Sequence, residues 1–185
     1  MTVGTTDIFL LVIVVSSLLV GFFWGAARSI MLLAAWLGAF IAGAYLKIQL
    51  GSWLARQWTT FDAAFNDVAA FGVIFVGILI LAPIAIVVGS SGDQGVSRYQ
   101  VLDDAVGAAF AAFVAILAIA GVMIILSLYY EDRALAQVSA PEWVTSLNQS
   151  LLASGLGAAI EERLIPLMGA VLGPLLPPDV RAVMT

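Results

Sequence analysis

Ile8 to Ala27 reads IFLLVIVVSSLLVGFFWGAA, twenty residues without one Asp, Glu, Lys, Arg or His. At about 1.5 Å of rise per residue such a helix is roughly 30 Å long, the thickness of a bilayer's hydrocarbon core. The same emptiness recurs at Ile30 to Leu46, Val68 to Ser91 and Ala105 to Tyr130. These four stretches predict an all-α, polytopic membrane bundle of four transmembrane helices. Residues 1–133 form the membrane domain in this reading, and residues 134–185 form a helical tail.

Composition agrees with that class and closes several others. Of 185 residues 63% are apolar and 10% charged, against roughly 45–50% and 25% in soluble domains. A soluble fold of this length has no way to cover so much apolar surface. The formal charge of −5 comes with no basic cluster, so nucleic acid is not an expected partner. Neither His nor Cys occurs, which removes Ser-His-Asp triads, Cys-His dyads and the usual zinc ligand sets. No catalytic residue, metal or cofactor is expected. Met1 to Asp7 carries no basic side chain, so the first stretch reads as a retained anchor, although Gly25-Ala26-Ala27 loosely imitates a cleavage site.

The connections differ in character. The first span is expected to begin near Asp7, whose carboxylate suits a helix N-terminus. The run Trp24-Gly25-Ala26-Ala27-Arg28-Ser29 is short enough only for a tight hairpin, so the second span lies antiparallel to the first. Trp24 falls where an interfacial aromatic belt would be, and Trp36 falls inside the bundle. From Gln49 to Asn66, Trp53, Leu54, Trp58, Phe61 and Phe65 recur at near-helical spacing, which predicts an interfacial amphipathic helix or, failing that, an aromatic-rich loop. Pro83 removes one backbone hydrogen bond from the third span and predicts a kink, structural or gating. Ser90 to Gly95 is a turn-rich loop. Leu102-Asp103-Asp104 opens the fourth span, and Tyr129-Tyr130 closes it.

Beyond Glu131 the pattern changes. Pro141, Trp143, Leu147 and Leu151 predict an amphipathic helix. Leu164 to Leu176, broken by Pro166 and Pro174, is too short to span and reads as interfacial, bundle-covering or re-entrant.

Within lipid, helices approach where side chains are small. Gly21 and Gly25, then Ala35, Ala39 and Gly43, then Gly107, Ala111 and Ala115 form three rows at four-residue spacing. They serve internal packing, self-assembly or the docking of another membrane protein. A charge at the bilayer centre costs at least about 2.5 kcal/mol and marks proton or ion paths where it persists. None occurs inside the four stretches, so coupled pumping is disfavoured and attention moves to their ends. There Arg28 has the chemistry to bind lipid phosphate or to pair with Asp103 or Asp104. Asp103 and Asp104 are neighbours on different helix faces and read first as caps. Arg28 and Arg98 lie on one side of the membrane and Lys47, Arg56 and Arg133 on the other, which leaves orientation weakly set; an even number of spans puts both chain ends together.

These residues resemble the colicin V production protein family of bacterial inner-membrane proteins. Asp7-Ile8, Ser16 or Ser17, Gly25, Arg28 and Trp36 resemble its opening pattern, and Leu102, Asp103, Gly107 and Phe110 its second pattern. The chain departs from it at Trp24, Ser29, Asp104, Ala111, Val114 and Ala115, several of which replace basic residues or glycine. The resemblance implies a multi-pass inner-membrane protein linked to toxin production, secretion and the cell envelope, with no established reaction and with termini outside the cytoplasm. The expected function is a non-enzymatic scaffold or accessory protein. A small passive transporter or channel, and a membrane anchor for a separate extracytoplasmic protease or envelope partner, are the alternatives. Candidate functional or packing residues are Gly25, Arg28, Trp36, Pro83, Asp103, Gly107 and Phe110. Expected partners are the lipid bilayer, other membrane or envelope proteins and a second copy of the chain.

Overall fold

In a computed structural model, which describes residues 4–59, 61, 63–89, 100–136 and 142–184, the charge-free stretches are helical wherever they are described. Three helices are long and apolar enough to cross a membrane: α1 (Thr5–Gln57), α2 (Ala63–Gly89) and α3 (Gln100–Ala136). Four short α-helices follow among the described residues, α4 (Glu142–Leu152), α5 (Gly155–Ala159), α6 (Ile165–Leu172) and α7 (Pro178–Val183). No strand occurs among the described residues.

The first two charge-free stretches lie within α1, which is broken at one residue. Gly25 has φ 75° and ψ 174°, so helical hydrogen bonding stops there and resumes beyond it. The chain doubles back at this point. Asp7 and Lys47 would stand about 60 Å apart on a straight helix, yet both touch the C-terminal tail: Leu156 N donates to Asp7 Oδ1 at 3.2 Å, and Lys47 pairs with Asp179. The first limb, residues 5–24, packs along α3, with Gly21 against Gly107 and Ala111. The second limb, residues 26–57, runs beside α2, with Trp36 near Phe75 and Gly43 against Phe71.

Helix α3 is the central element, and its apolar stretch is far more buried than those of α1 and α2. Around it Trp36, Phe40, Phe71 and Phe75 are fully buried. Trp36 stacks on Phe40 at 5.4 Å between ring centroids, and Phe75 meets both edge-on at 6.1 and 6.0 Å. Stacked and edge-on pairs suit the ring quadrupoles, and the interior is filled by rings where a pore would need space. Large apolar side chains cover the outside instead, among them Phe9, Phe23, Leu81 and Val88. That inversion suits a lipid solvent.

Several expectations change. No separate interfacial helix follows the second stretch: the backbone stays helical through Gln57 and breaks only at Trp58, because nothing from Gln49 to Gln57 interrupts the hydrogen-bond ladder. The large apolar residues there do not share one face, since Leu54 is buried against the bundle while Trp53 and Trp58 are exposed. Helix α1 starts at Thr5, near Asp7 as expected, and Asp7 lies in its first turn, where its carboxylate accepts from the N-cap Gly4 N at 3.1 Å. Pro83 falls inside α2, as expected, with helix on both sides of it. Pro141 and the Ser90–Gly95 loop lie outside the described residues.

The tail covers one end of the bundle. Ile165, Met168, Leu172, Leu176, Val180 and Met184 are buried, so the Leu164–Leu176 run follows the bundle-covering reading. A π turn at Ile160–Leu164 precedes Pro166. Proline cannot donate to the carbonyl four residues back and crowds it, and a wider turn relieves that conflict. Tyr45 Oη donates to Leu175 O at 3.2 Å, and Lys47, buried at the end of its apolar stretch, pairs with the half-exposed Asp179.

Candidate functional site at the Gly25 break

The break is built from small residues. A φ of 75° with ψ near 180° is open to glycine and costly to any other residue. Space imposes the same demand, because a side chain at Gly25 would strike the Asp103 carboxylate. On the facing helix, a Cβ at Gly107 would lie 2.8 Å from Gly25 Cα and 2.5 Å from Gly21 O. Two backbones therefore meet without side chains between them, the geometry small-residue rows permit in lipid.

Two helix ends also meet here. The first limb ends and the second begins at Gly25, so the partial negative charge of one helix end and the partial positive charge of the other lie side by side. Asp103, in the first turn of α3, brings its half-buried carboxylate against this junction. A carboxylate beside a helix N-terminus is favourably placed. Asp103 thus serves the start of its own helix and stands at the start of a second one.

Ser29 adds a feature the sequence hid. Its side chain is 1% exposed, and its hydroxyl has no hydrogen-bond partner among the described residues. A helical serine ordinarily bonds back to the carbonyl four residues earlier. Here that residue is Gly25, whose ψ of 174° turns its carbonyl out of the helical direction. The signal was present in the spacing, a serine four residues after a turn glycine, but it acquires meaning only once the backbone break is known.

The structure gathers some candidates and separates others. Gly25, Asp103 and Gly107 form one contact, and Arg28 is half-buried within the first turn of the second limb. Phe110 is half-buried on the first turns of α3. Trp36 lies eleven residues beyond the break, about 16 Å along the helix, and belongs to the aromatic core. Its indole nitrogen has no hydrogen-bond partner among the described residues. Pro83 lines a groove beside the bundle.

A lysine ion pair forms a second polar contact, which the sequence reading did not single out. The Asp179 carboxyl is pushed up by burial, but the Lys47 ammonium outweighs this and holds it below the ordinary carboxylate value. Lys47 at the end of an apolar stretch was a signal; its partner, 132 positions on, was not.

An all-helical chain with three membrane-length apolar helices and a glycine-mediated helix break is a helical membrane protein. It belongs to the colicin V production protein family, whose model matches residues 6–161. The match takes in all three long helices and the Gly25–Asp103–Gly107 contact. No curated protein and no solved structure matches the chain.

Proposed function

We propose that the chain is a non-enzymatic, four-span scaffold or accessory protein of the bacterial inner membrane, acting in colicin V production or export. Family membership supports the toxin-production link. The reversal at Gly25 supports the count of four crossings, two of them within α1. The observation that carries the scaffold role is the filled interior: Trp36, Phe40, Phe71 and Phe75 occupy the space between helices. A passive channel needs a hydrated or gated path where these rings pack. The working parts are then the helix ends, with Arg28, Asp103 and Gly107 at one end and the tail at the other.

One surface favours a second role, as anchor for a separate envelope partner. Leu167, Val171 and Leu175 recur at four-residue spacing on the tail and are exposed at 59%, 66% and 55%. Crosslinking followed by purification from cells, with the full chain and with residues 134–185 removed, tests both roles. Partners retained without the tail support the scaffold; partners lost with it support the anchor. Robust hydrolysis by the purified protein, or flux through liposomes that depends on it, overturns the non-enzymatic scaffold.

A further inference from the structure

The tail carries a hollow of its own. Beside α6 and α7 lies a cavity of about 450 Å³, walled on the α6 side by two rows at four-residue spacing, Pro166-Ala170-Pro174 and Gly169-Gly173. Nothing larger than proline stands in either row. The end of α7 closes in against bare backbone, since a Cβ at Gly169 would lie 2.7 Å from Met184 O.

One charged side chain lines this cavity, that of Arg181. Its stem lies across Gly173, where an added Cβ would be 3.6 Å from Arg181 Cγ, and its Nε donates to Gly173 O at 2.8 Å. That bond uses one of the five guanidinium donors and fixes the plane of the fork. Asp179, the acid nearest in sequence, is taken by Lys47, and no carboxylate pairs with Arg181 among the described residues.

We propose that this cavity binds a phosphate group, with Arg181 as the residue that recognises it. The donors left over belong to Nη1 and Nη2, the edge of the fork that meets two oxygens of a phosphate at once. A guanidinium takes a carboxylate in the same way, and depth decides between the two anions.

That depth follows from how the tail is tied to the bundle. Leu175 O accepts from Tyr45 Oη, and Asp179 pairs with Lys47. Lys47 is the first charged residue after the apolar Ile30 to Leu46 stretch, so both ties lie at the edge of the apolar layer. Gly173 and Arg181 stand two residues outside those ties, one on each side, and the cavity between them lies at the same level. Lipid phosphates are the anions concentrated there, and basic pockets at this depth suit their headgroups. A free phosphate offers the same oxygens from the water side.

The test is titration calorimetry of the full chain in dodecyl maltoside. Its ligands are inorganic phosphate, dihexanoyl phosphatidylglycerol and dihexanoylglycerol, which has the chains without the phosphate. Saturable binding of a phosphate-bearing ligand is expected, and none of dihexanoylglycerol. Binding of the phosphatidylglycerol alone assigns the site to lipid headgroups; binding of inorganic phosphate with similar affinity assigns it to free phosphate. Arg181→Gln is expected to weaken binding by about tenfold or more, and Arg163→Gln, exposed and outside the cavity, to leave it unchanged. Because Arg181→Gln also removes the bond to Gly173, Ala170→Phe is the second variant: it fills the hollow, keeps that bond and is expected to cause the same loss. Binding indifferent to both variants, an equal loss in Arg163→Gln, equal binding of dihexanoylglycerol, or no binding of either phosphate compound overturns the proposal.

Discussion

Gly25 concentrates two independent demands on one residue, a backbone conformation that excludes Cβ and a carboxylate packed where a Cβ would go. Gly25→Ala is expected to destabilise the bundle by about 1–3 kcal/mol from backbone strain alone, with a further loss from displacing Asp103. Thermal unfolding in detergent measures it. In a double-mutant cycle, Asp103→Ala removes the collision and leaves the strain, so Gly25→Ala costs less in that background but still costs something. Equal costs in both backgrounds would show that Asp103 and Gly25 are uncoupled. Asp103→Asn keeps the shape and removes the charge facing a helix N-terminus, for an expected loss of about 0.3–1 kcal/mol that shrinks as salt is raised. Residue identities at this junction were legible in the sequence as a glycine, an arginine and an aspartate at span ends. The orphaned Ser29 hydroxyl was not, since it depends on which way one carbonyl points.

Elements carry a different set of consequences. Gly21, Gly107 and Ala111 form the seam between the first limb and α3, which makes these rows internal packing surface. Gly107→Leu is therefore expected to separate the limb from α3 and unfold the bundle while the monomer remains the unit that fails. Loss of thermal stability before any change in oligomer size, read by light scattering in detergent, checks this. The tail is held by Asp7, Tyr45 and Lys47, and its pH dependence follows from Asp179. That carboxyl is held below its ordinary value in the folded state. Its contribution is present above the unfolded pKa of about 3.9 and is lost as pH falls through the lower folded value. Docking is thus expected to hold at neutral pH and to loosen only in acid below about pH 4. Limited proteolysis across α7 monitors the change. Asp179→Asn should release the tail at every pH, because it leaves the buried Lys47 ammonium without this carboxylate partner, and adding Lys47→Met should restore docking.

At the scale of the whole molecule, the prediction is topological. If both limbs of α1 cross the bilayer, as proposed, then with α2 and α3 there are four crossings and both chain ends lie on one side. Single cysteines near Gly4 and Met184 are expected to react with an impermeant maleimide from the same face, and one near Ala26 from the opposite face. Labelling of Gly4 and Ala26 from one face would mean that α1 folds back without crossing twice. The sequence by itself determined the solvent of this protein and the helical class, since a bilayer leaves long apolar stretches little choice but helix. It also placed the reversal, because the run from Trp24 to Ser29 is too short for anything else. Tertiary structure alone decided which small residues face α3, which end the tail covers and where the bundle stays open. Uniformly apolar helices carry almost no amphipathic signal, so their rotation and pairing are set by backbone fit between glycines and alanines far apart in sequence, and that fit exists only once the helices meet.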